Sequence, residues 1–320
     1  MTDNILEVKD LYVSFHTREG VARVLNGVSL GLPRGSTLGL VGESGCGKSV
    51  LCSALLHLVR RPGRIDKGDV LYEGESLLRQ SEAELRALRG KEIAMILPNP
   101  HTALNPLLTV GDQIANMYQS HFNVPRAEAQ HRAVEAIAAV GINDPERRYH
   151  AYPHELSGGM AQRIIIAIGL LFSPRVLIAD EPTSGLDVTI AAQVLDMMAG
   201  LIQKGDSSNL ISTRDLAIVA QYCQIVAVMC AGQIVEQAPV QHFFEGAKHP
   251  YSRLLLAAAA FDTAGEEAVS VSQRPPDKYN LPPGCPFSER CRFAQGCCAM
   301  ERPPLASVAE HHYVRCHFPL

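Results

Sequence analysis

The chain has 320 residues, 47% apolar and 19% charged, which is enough to build a core, predicts about two domains, and excludes a disordered polypeptide. Its formal charge of -4 leaves no basic footprint for nucleic acid. No apolar run reaches membrane-spanning length, and residues 1–10 lack the charged start and apolar core of a signal peptide. A cytosolic protein is therefore expected, with its nine cysteines kept as thiols.

Residues 4–41 alternate in the strand manner around turns at Glu19-Gly20 and Pro33-Arg34-Gly35. The apolar run 37–41 leads into GESGCGKS, residues 42–49, a GxxxxGK[ST] phosphate loop. Gly42, Gly45 and Gly47 let backbone N–H groups turn inward around the β- and γ-phosphates, together with Ser44 and Cys46. Lys48 is expected to reach those phosphates, Ser49 to hold Mg²⁺ through its hydroxyl, and Val50 to follow in the first helical turn. The helix is predicted over 48–58, stopped by Pro62-Gly63. Strands at 68–72 and 93–96 bracket a helix at 82–88 capped by Ser81.

From Pro98 to Phe172 the spacing turns helical, with predicted helices at 109–118, 126–140 and 161–171, the last capped by Ser157 so that its dipole points at phosphate. VLIADEP, residues 176–182, is an apolar strand ending in two carboxylates. Asp180 fits a Mg²⁺ partner, and Glu181 fits a general base toward an attacking water. Beyond Asp187, helices at 190–201 and 216–221 alternate with strands at 210–213, 225–229 and 233–236, so an α/β fold with a parallel sheet flanked by helices is expected. From about Asp262 the composition shifts to Pro, Gly and Cys, and 273–286 reads as a linker into a small module. The expected domains are 1–261 and 262–320.

LSGGMAQR, residues 156–163, just upstream of the carboxylate strand, resembles the signature of ATP-binding-cassette ATPases. The resemblance implies a parallel-sheet phosphate-loop domain with an antiparallel β subdomain, and a helical subdomain at about 98–172 that docks on a membrane permease. It also implies a head-to-tail dimer in which Ser157, Gly158, Gly159 and Met160 of one subunit close over ATP held by the other. SGLD at 184–187 resembles the family's D-loop, and Phe15 sits where the family places a ring against adenine.

The tail, GCPFSERCRFAQGCCAMERPPL followed by HHYVRCHFPL, together with HPYSRLLL at 249–256, resembles the oligopeptide and dipeptide branch of importer ATPases, including nickel importers. This resemblance spans almost the whole chain. It implies two transmembrane permease subunits, a second non-identical ATPase subunit, and indirectly an extracytoplasmic substrate-binding protein, with this chain peripheral on the cytoplasmic membrane face. Members with four tail cysteines carry an iron–sulfur cluster, and carried over the ligands of a 4Fe-4S cluster are Cys285, Cys291, Cys298 and Cys316. Gaps of five, six and seventeen residues lack the CxxC knuckle of structural zinc, yet spacing alone leaves a cluster, zinc or unligated thiols open. Cys297, His311, His312 and His317 are rival ligands, although tail histidines are expected to be solvent-exposed. Cargo is open among dipeptides, longer peptides and nickel chelates, and a soluble redox-sensing ATPase is the alternative of a different class.

Two positions depart from the family pattern. Pro98 replaces a Gln whose amide would bind Mg²⁺ or water, and Arg214 replaces a His in the segment TRDL. Arginine grips phosphate but stays charged and cannot shuttle a proton. Neutral drift is one account; the other is a site that binds ATP and hydrolyses it slowly.

Overall fold

The computed structural model describes residues 3–203, 207–259 and 276–320. The chain forms two compact units, one from Met1–Arg79 with Ser212–Leu320 and one from Gln80–Ile211. The expected boundary at 261/262 and the first part of the expected linker lie outside the described residues.

In the first unit, β1 (Asn4–Thr17) pairs antiparallel with β2 (Gly20–Pro33). β3 (Thr37–Val41) follows, and α1 (Lys48–Leu55) opens behind the phosphate loop. β4 (Gly63–Tyr72) lies on the other side of β1, and β5 (Glu75–Ser76) pairs with it, completing an antiparallel sheet of order β2-β1-β4-β5. The alternation read from the sequence has a physical counterpart, since Leu6, Val8, Leu11 and Val13 of β1 are all buried. Two boundaries differ from expectation. α1 stops at Leu55, short of residue 58, because Leu56 caps it and His57 turns to φ 52. β4 starts at Gly63 rather than 68, because Arg64, Asp66 and Lys67 put charges into a strand that register with β1 nevertheless pairs.

The second unit begins with α2 (Glu82–Leu88), opened by a Ser81/Glu84 capping box, and β6 (Ile93–Ile96). Helices α3 (Pro100–Ala103), α4 (Val110–His121), α5 (Arg126–Ala139), α6 (Pro145–Tyr149) and α7 (Gly158–Leu170) follow. Thr109 caps α4 by accepting from the Asp112 N–H at 3.1 Å. Asp112 then ties three helices together, pairing with Arg126 of α5 and accepting from the Tyr149 hydroxyl of α6 at 2.7 Å. β7 (Val176–Asp180) runs parallel to β6 and is buried along its whole length. α8 (Val188–Gln203) ends this part of the chain.

β8 (Ser208–Thr213) crosses the unit boundary. Back in the first unit come α9 (Leu216–Tyr222), β9 (Ile225–Cys230) parallel to β3, and β10 (Gln233–Pro239) antiparallel to β9. α10 (Val240–Gly246), α11 (Pro250–Ala259), α12 (Gly296–Met300), β11 (Ala306–Ala309) and β12 (His312–Val314) complete the fold. The strands of this unit run in the order β11-β12-β10-β9-β3. The sheet is therefore mixed, which corrects the expectation of a parallel one. β9 and β10 are joined by Ala231 at φ 41 and Gly232 at φ 78, a two-residue hairpin that forces antiparallel pairing. The tail strand β12 then extends the antiparallel edge. Among the described residues no helix is long and apolar enough to cross a membrane.

Candidate nucleotide-binding site

The phosphate loop joins β3 to α1, and Leu38, Leu40 and Val41 anchor its entry in the core. A Cβ at Gly42 would lie 2.2 Å from the Met229 carbonyl oxygen of β9, so only glycine fits there. Gly47 sits at φ 114 immediately before α1, a left-handed geometry that costs glycine little. Ser44, Gly45 and Ser49 are exposed, Val50 is half-buried, and Cys46 is buried. Burial foremost pushes the Cys46 thiol above its ordinary value, so it stays protonated. Lys48, 4% exposed, donates through Nζ to the Gly42 carbonyl at 2.8 Å and to the Glu43 carbonyl at 3.2 Å. A buried ammonium resting on neutral carbonyls gains when anionic oxygens replace them. Half-buried Phe15 packs on the bare backbone of Gly63, where a Cβ would come within 2.7 Å of the ring. Arg214 is exposed just beyond β8, and the next residue, Asp215, caps α9 by accepting from the Ala217 N–H at 2.8 Å.

In the second unit, β7 delivers its two carboxylates to the sheet end. Asp180 is 1% exposed, whereas Glu181 is half-buried and holds φ 43, a conformation that costs a non-glycine residue roughly 1–3 kcal/mol and is found at functional positions. The following turn is closed by the Ser184 N–H donating to the Glu181 carbonyl at 3.0 Å, and Asp187 accepts from the Ile190 N–H at 3.0 Å to start α8. Ser157 is exposed and caps α7, its hydroxyl accepting from the Met160 N–H at 3.3 Å. Gly158, Gly159 and Met160 form the first turn behind it, and a Cβ at Gly159 would meet Ile190 of α8 at 2.8 Å. Pro98 is half-buried after β6, followed by Asn99 at φ 56.

The tail brings four of its cysteines to one cavity. Cys285, Cys291, Cys298 and Cys316 line it together with His317 and Phe287. Burial first, then repulsion from the other three sulfurs, raises the Cys285 thiol to about 11. Burial likewise raises Cys291 and Cys316. Cys297 is exposed and outside the cavity lining. His311 is exposed, but His312 is buried, correcting the expectation for tail histidines, because its Nε2 lies 2.7 Å from Glu236 Oε1. Among the described residues no three His, Cys, Asp or Glu side chains converge tightly enough to hold a metal ion.

Sequence reasoning missed the residues that fasten this tail. Glu236 of β10 is fully buried and accepts from the Lys248 and His249 N–H groups at 2.7 and 2.9 Å as well as meeting His312. A single acid inside the apolar run IVEQ was the available signal. Arg290 pairs with Glu43 of the phosphate loop, a partnership separated by 247 residues that no local pattern announces.

Comparison with known proteins places these features. The ABC transporter family profile matches residues 25–184, and that of the oligopeptide/dipeptide transporter C-terminal region matches residues 235–298. The chain is 44% identical over 314 residues to the oligopeptide transport ATP-binding protein OppD of Bacillus subtilis, covering 97% of this chain and 88% of that one. It is 40% identical to the dipeptide transport ATP-binding protein DppD of the same species, covering 98% and 94%. Its fold is similar to the dimeric ATP-binding cassette MJ0796 in a post-hydrolysis state bound to ADP and Pi, with a TM-score of 0.66 at 21% identity, over 73% of this chain and 98% of that one. A glycine-bound phosphate loop, a buried carboxylate strand and a serine-capped signature helix, in one chain with relatives of this identity, make it a member of the ABC transporter ATP-binding family, with the oligopeptide/dipeptide transporter C-terminal region.

Proposed function

We propose that this chain is the ATP-binding subunit of a peptide importer and couples ATP binding and hydrolysis to conformational change in a membrane permease. The observation that carries the reading is the Lys48 loop, with its glycine-only contact at Gly42, in a chain 44% identical to an oligopeptide transport ATP-binding protein. Gly42, Ser44, Gly45, Cys46, Gly47, Lys48, Ser49 and Val50 would hold the phosphates, Phe15 the adenine, and Ser49 with Asp180 the Mg²⁺. ATP supplies the energy through its γ-phosphoryl group. The protein's own work is to cradle the anion, to polarise water through Glu181, and to present Ser157, Gly158, Gly159 and Met160 to a partner's nucleotide. The assembly in this reading has two permease subunits, a second non-identical ATPase, an extracytoplasmic binding protein that selects the cargo, and no nucleic acid. This chain would sit at the cytoplasmic membrane face. Lys48→Ala should abolish ATP binding and peptide uptake in cells. Uptake that persists at the parent rate would refute the reading.

The same reading assigns residues 262–320 to the branch-specific module and a 4Fe-4S cluster to Cys285, Cys291, Cys298 and Cys316. Its support is that these four cysteines line one cavity, although among the described residues no three side chains converge as a metal site. The thiols would anchor it as thiolates, and no step of hydrolysis runs through it. Stoichiometric zinc without iron in anaerobically purified protein would exclude the cluster. Pro98 and Arg214 are assigned to slow hydrolysis at this chain's own phosphate loop, supported by the missing amide and the fixed charge. Restoring Gln at 98 and His at 214 should raise the rate there, and an unchanged rate would favour drift.

A further inference from the structure

Glu43 is the only acid in the phosphate loop GESGCGKS. A carboxylate in a loop that gathers phosphate opposes its ligand by like-charge repulsion. The structure meets that charge with a cation from the tail. Arg290 donates through Nη1 to Glu43 Oε2 at 3.0 Å and through Nη2 to Oε1 at 2.6 Å, a bidentate pair. The pair is shielded from water, with the Arg290 side chain 6% exposed and that of Glu43 24%. The guanidinium lies 5.4 Å over the Phe287 ring, which packs 5.3 Å from the ring of Tyr251. Tyr251 in turn accepts from the Glu43 N–H at 3.0 Å. The second residue of the loop is thus held at its backbone by Tyr251 and at its side chain by Arg290.

Arg290 is placed by the cysteine turns on either side of it. It directly precedes Cys291, whose N–H donates to the Ser288 carbonyl at 3.3 Å, and the Ser288 N–H donates to the Cys285 carbonyl at 3.0 Å. The Cys285 N–H closes the turn onto the Cys298 carbonyl at 2.7 Å. These backbone bonds close a turn around Arg290 and so fix where its guanidinium sits.

We propose that Arg290 is a positioning residue for nucleotide binding, neutralising Glu43 so that the phosphate loop accepts ATP, and that the folded state of the turn from Cys285 to Cys298 is thereby read out as ATP affinity. The inference rests on the loop being the ATP site and adds a control on it. If Arg290 merely fastened the tail, removing the Glu43 charge as well would not restore ATP binding, and that difference is measurable.

The test titrates the fluorescent analogue mant-ATP with Mg²⁺ into the full chain. Arg290→Gln should weaken binding by roughly tenfold, the order of effect of one uncompensated charge on an anion held by the same loop. The double variant Arg290→Gln/Glu43→Gln should recover most of that loss. Cys285→Pro, which removes the N–H that closes the turn onto the Cys298 carbonyl, should weaken binding to the same degree, with no further loss when Arg290→Gln is added. Unchanged affinity in Arg290→Gln, while Lys48→Ala abolishes binding, overturns the inference and leaves the ATP site standing. A double variant as weak as Arg290→Gln overturns the counter-charge account. Full additivity of the cysteine and Arg290 changes overturns the readout. Binding that survives Lys48→Ala overturns the site and the inference together.

Discussion

Glu236→Ala offers a direct measure of how the tail is held. The Glu236 side chain is 0% exposed and that of His312 4% exposed. Its two oxygens serve three donors, the Lys248 N–H at 2.7 Å, the His249 N–H at 2.9 Å and His312 Nε2 at 2.7 Å. Each buried donor left without a partner costs about 1–3 kcal/mol, and breaking one side of a buried pair costs about 3–5 kcal/mol in total. A melting temperature moves by about 2–4 °C per kcal/mol in domains of about 150–250 residues, and the low end applies to a longer chain, so a fall of roughly 6–10 °C is expected. Glu236→Gln keeps one acceptor and turns the other oxygen into a donor, so it should fall between the parent and Glu236→Ala. The assay is a thermal melt followed by amide exchange, in which residues 312–314 and the N–H groups of Lys248 and His249 should lose protection first. A melting shift under about 2 °C, or exchange unchanged at those amides, would show that this carboxylate is not what binds β12 to the sheet.

Three further outcomes follow from single contacts. His249 is 1% exposed, and burial holds its imidazole at about 3 instead of the ordinary 6.5. Its Nδ1 also accepts from the Tyr251 N–H at 3.0 Å, which requires the neutral ring. Between those two values the unfolded chain binds more protons, so stability is fully present above pH 6.5 and declines as pH falls toward 3, by up to about 1.4 kcal/mol per pH unit. His249→Asn can accept from the same N–H without that proton, so its urea midpoint should fall less between pH 6.5 and 5, and an identical fall would contradict the assignment. Gly42→Ala should cost at least about 1–3 kcal/mol and remove mant-ATP binding, since its Cβ would lie 2.2 Å from the Met229 carbonyl; retained binding would mean that the loop moves freely. Tyr149→Phe should lower stability by about 1.5–3 kcal/mol in urea through loss of the 2.7 Å bond to Asp112, and a change within about 0.5 kcal/mol would show that Arg126 alone satisfies the carboxylate.

The local structure of each motif was legible in the sequence because it depends on near neighbours. The run from β3 through GESGCGKS to α1, the apolar strand ending in Asp180 and Glu181, and the Ser157 cap each act through neighbours a few residues away. Backbone hydrogen bonding and apolar alternation are local forces, and so the β1–β2 hairpin, the Ser81 capping box and most strand limits follow from the order of the residues alone. Where polar residues broke the pattern, as in the first half of β4, the expected strand came out too short, since cross-strand pairing with β1 outweighs local polarity.

Tertiary structure alone decided what the tail does. Its segments carry little periodic apolar content, and they fold by attaching to distant residues: β12 to β10, His312 to Glu236, Arg290 to Glu43. Pairing energy between buried polar or charged groups depends on separation and desolvation in three dimensions, and neither quantity is encoded in spacing along the chain. The sequence determined what kind of molecule the chain is. Packing decided that its last segment reaches back to the second residue of the phosphate loop.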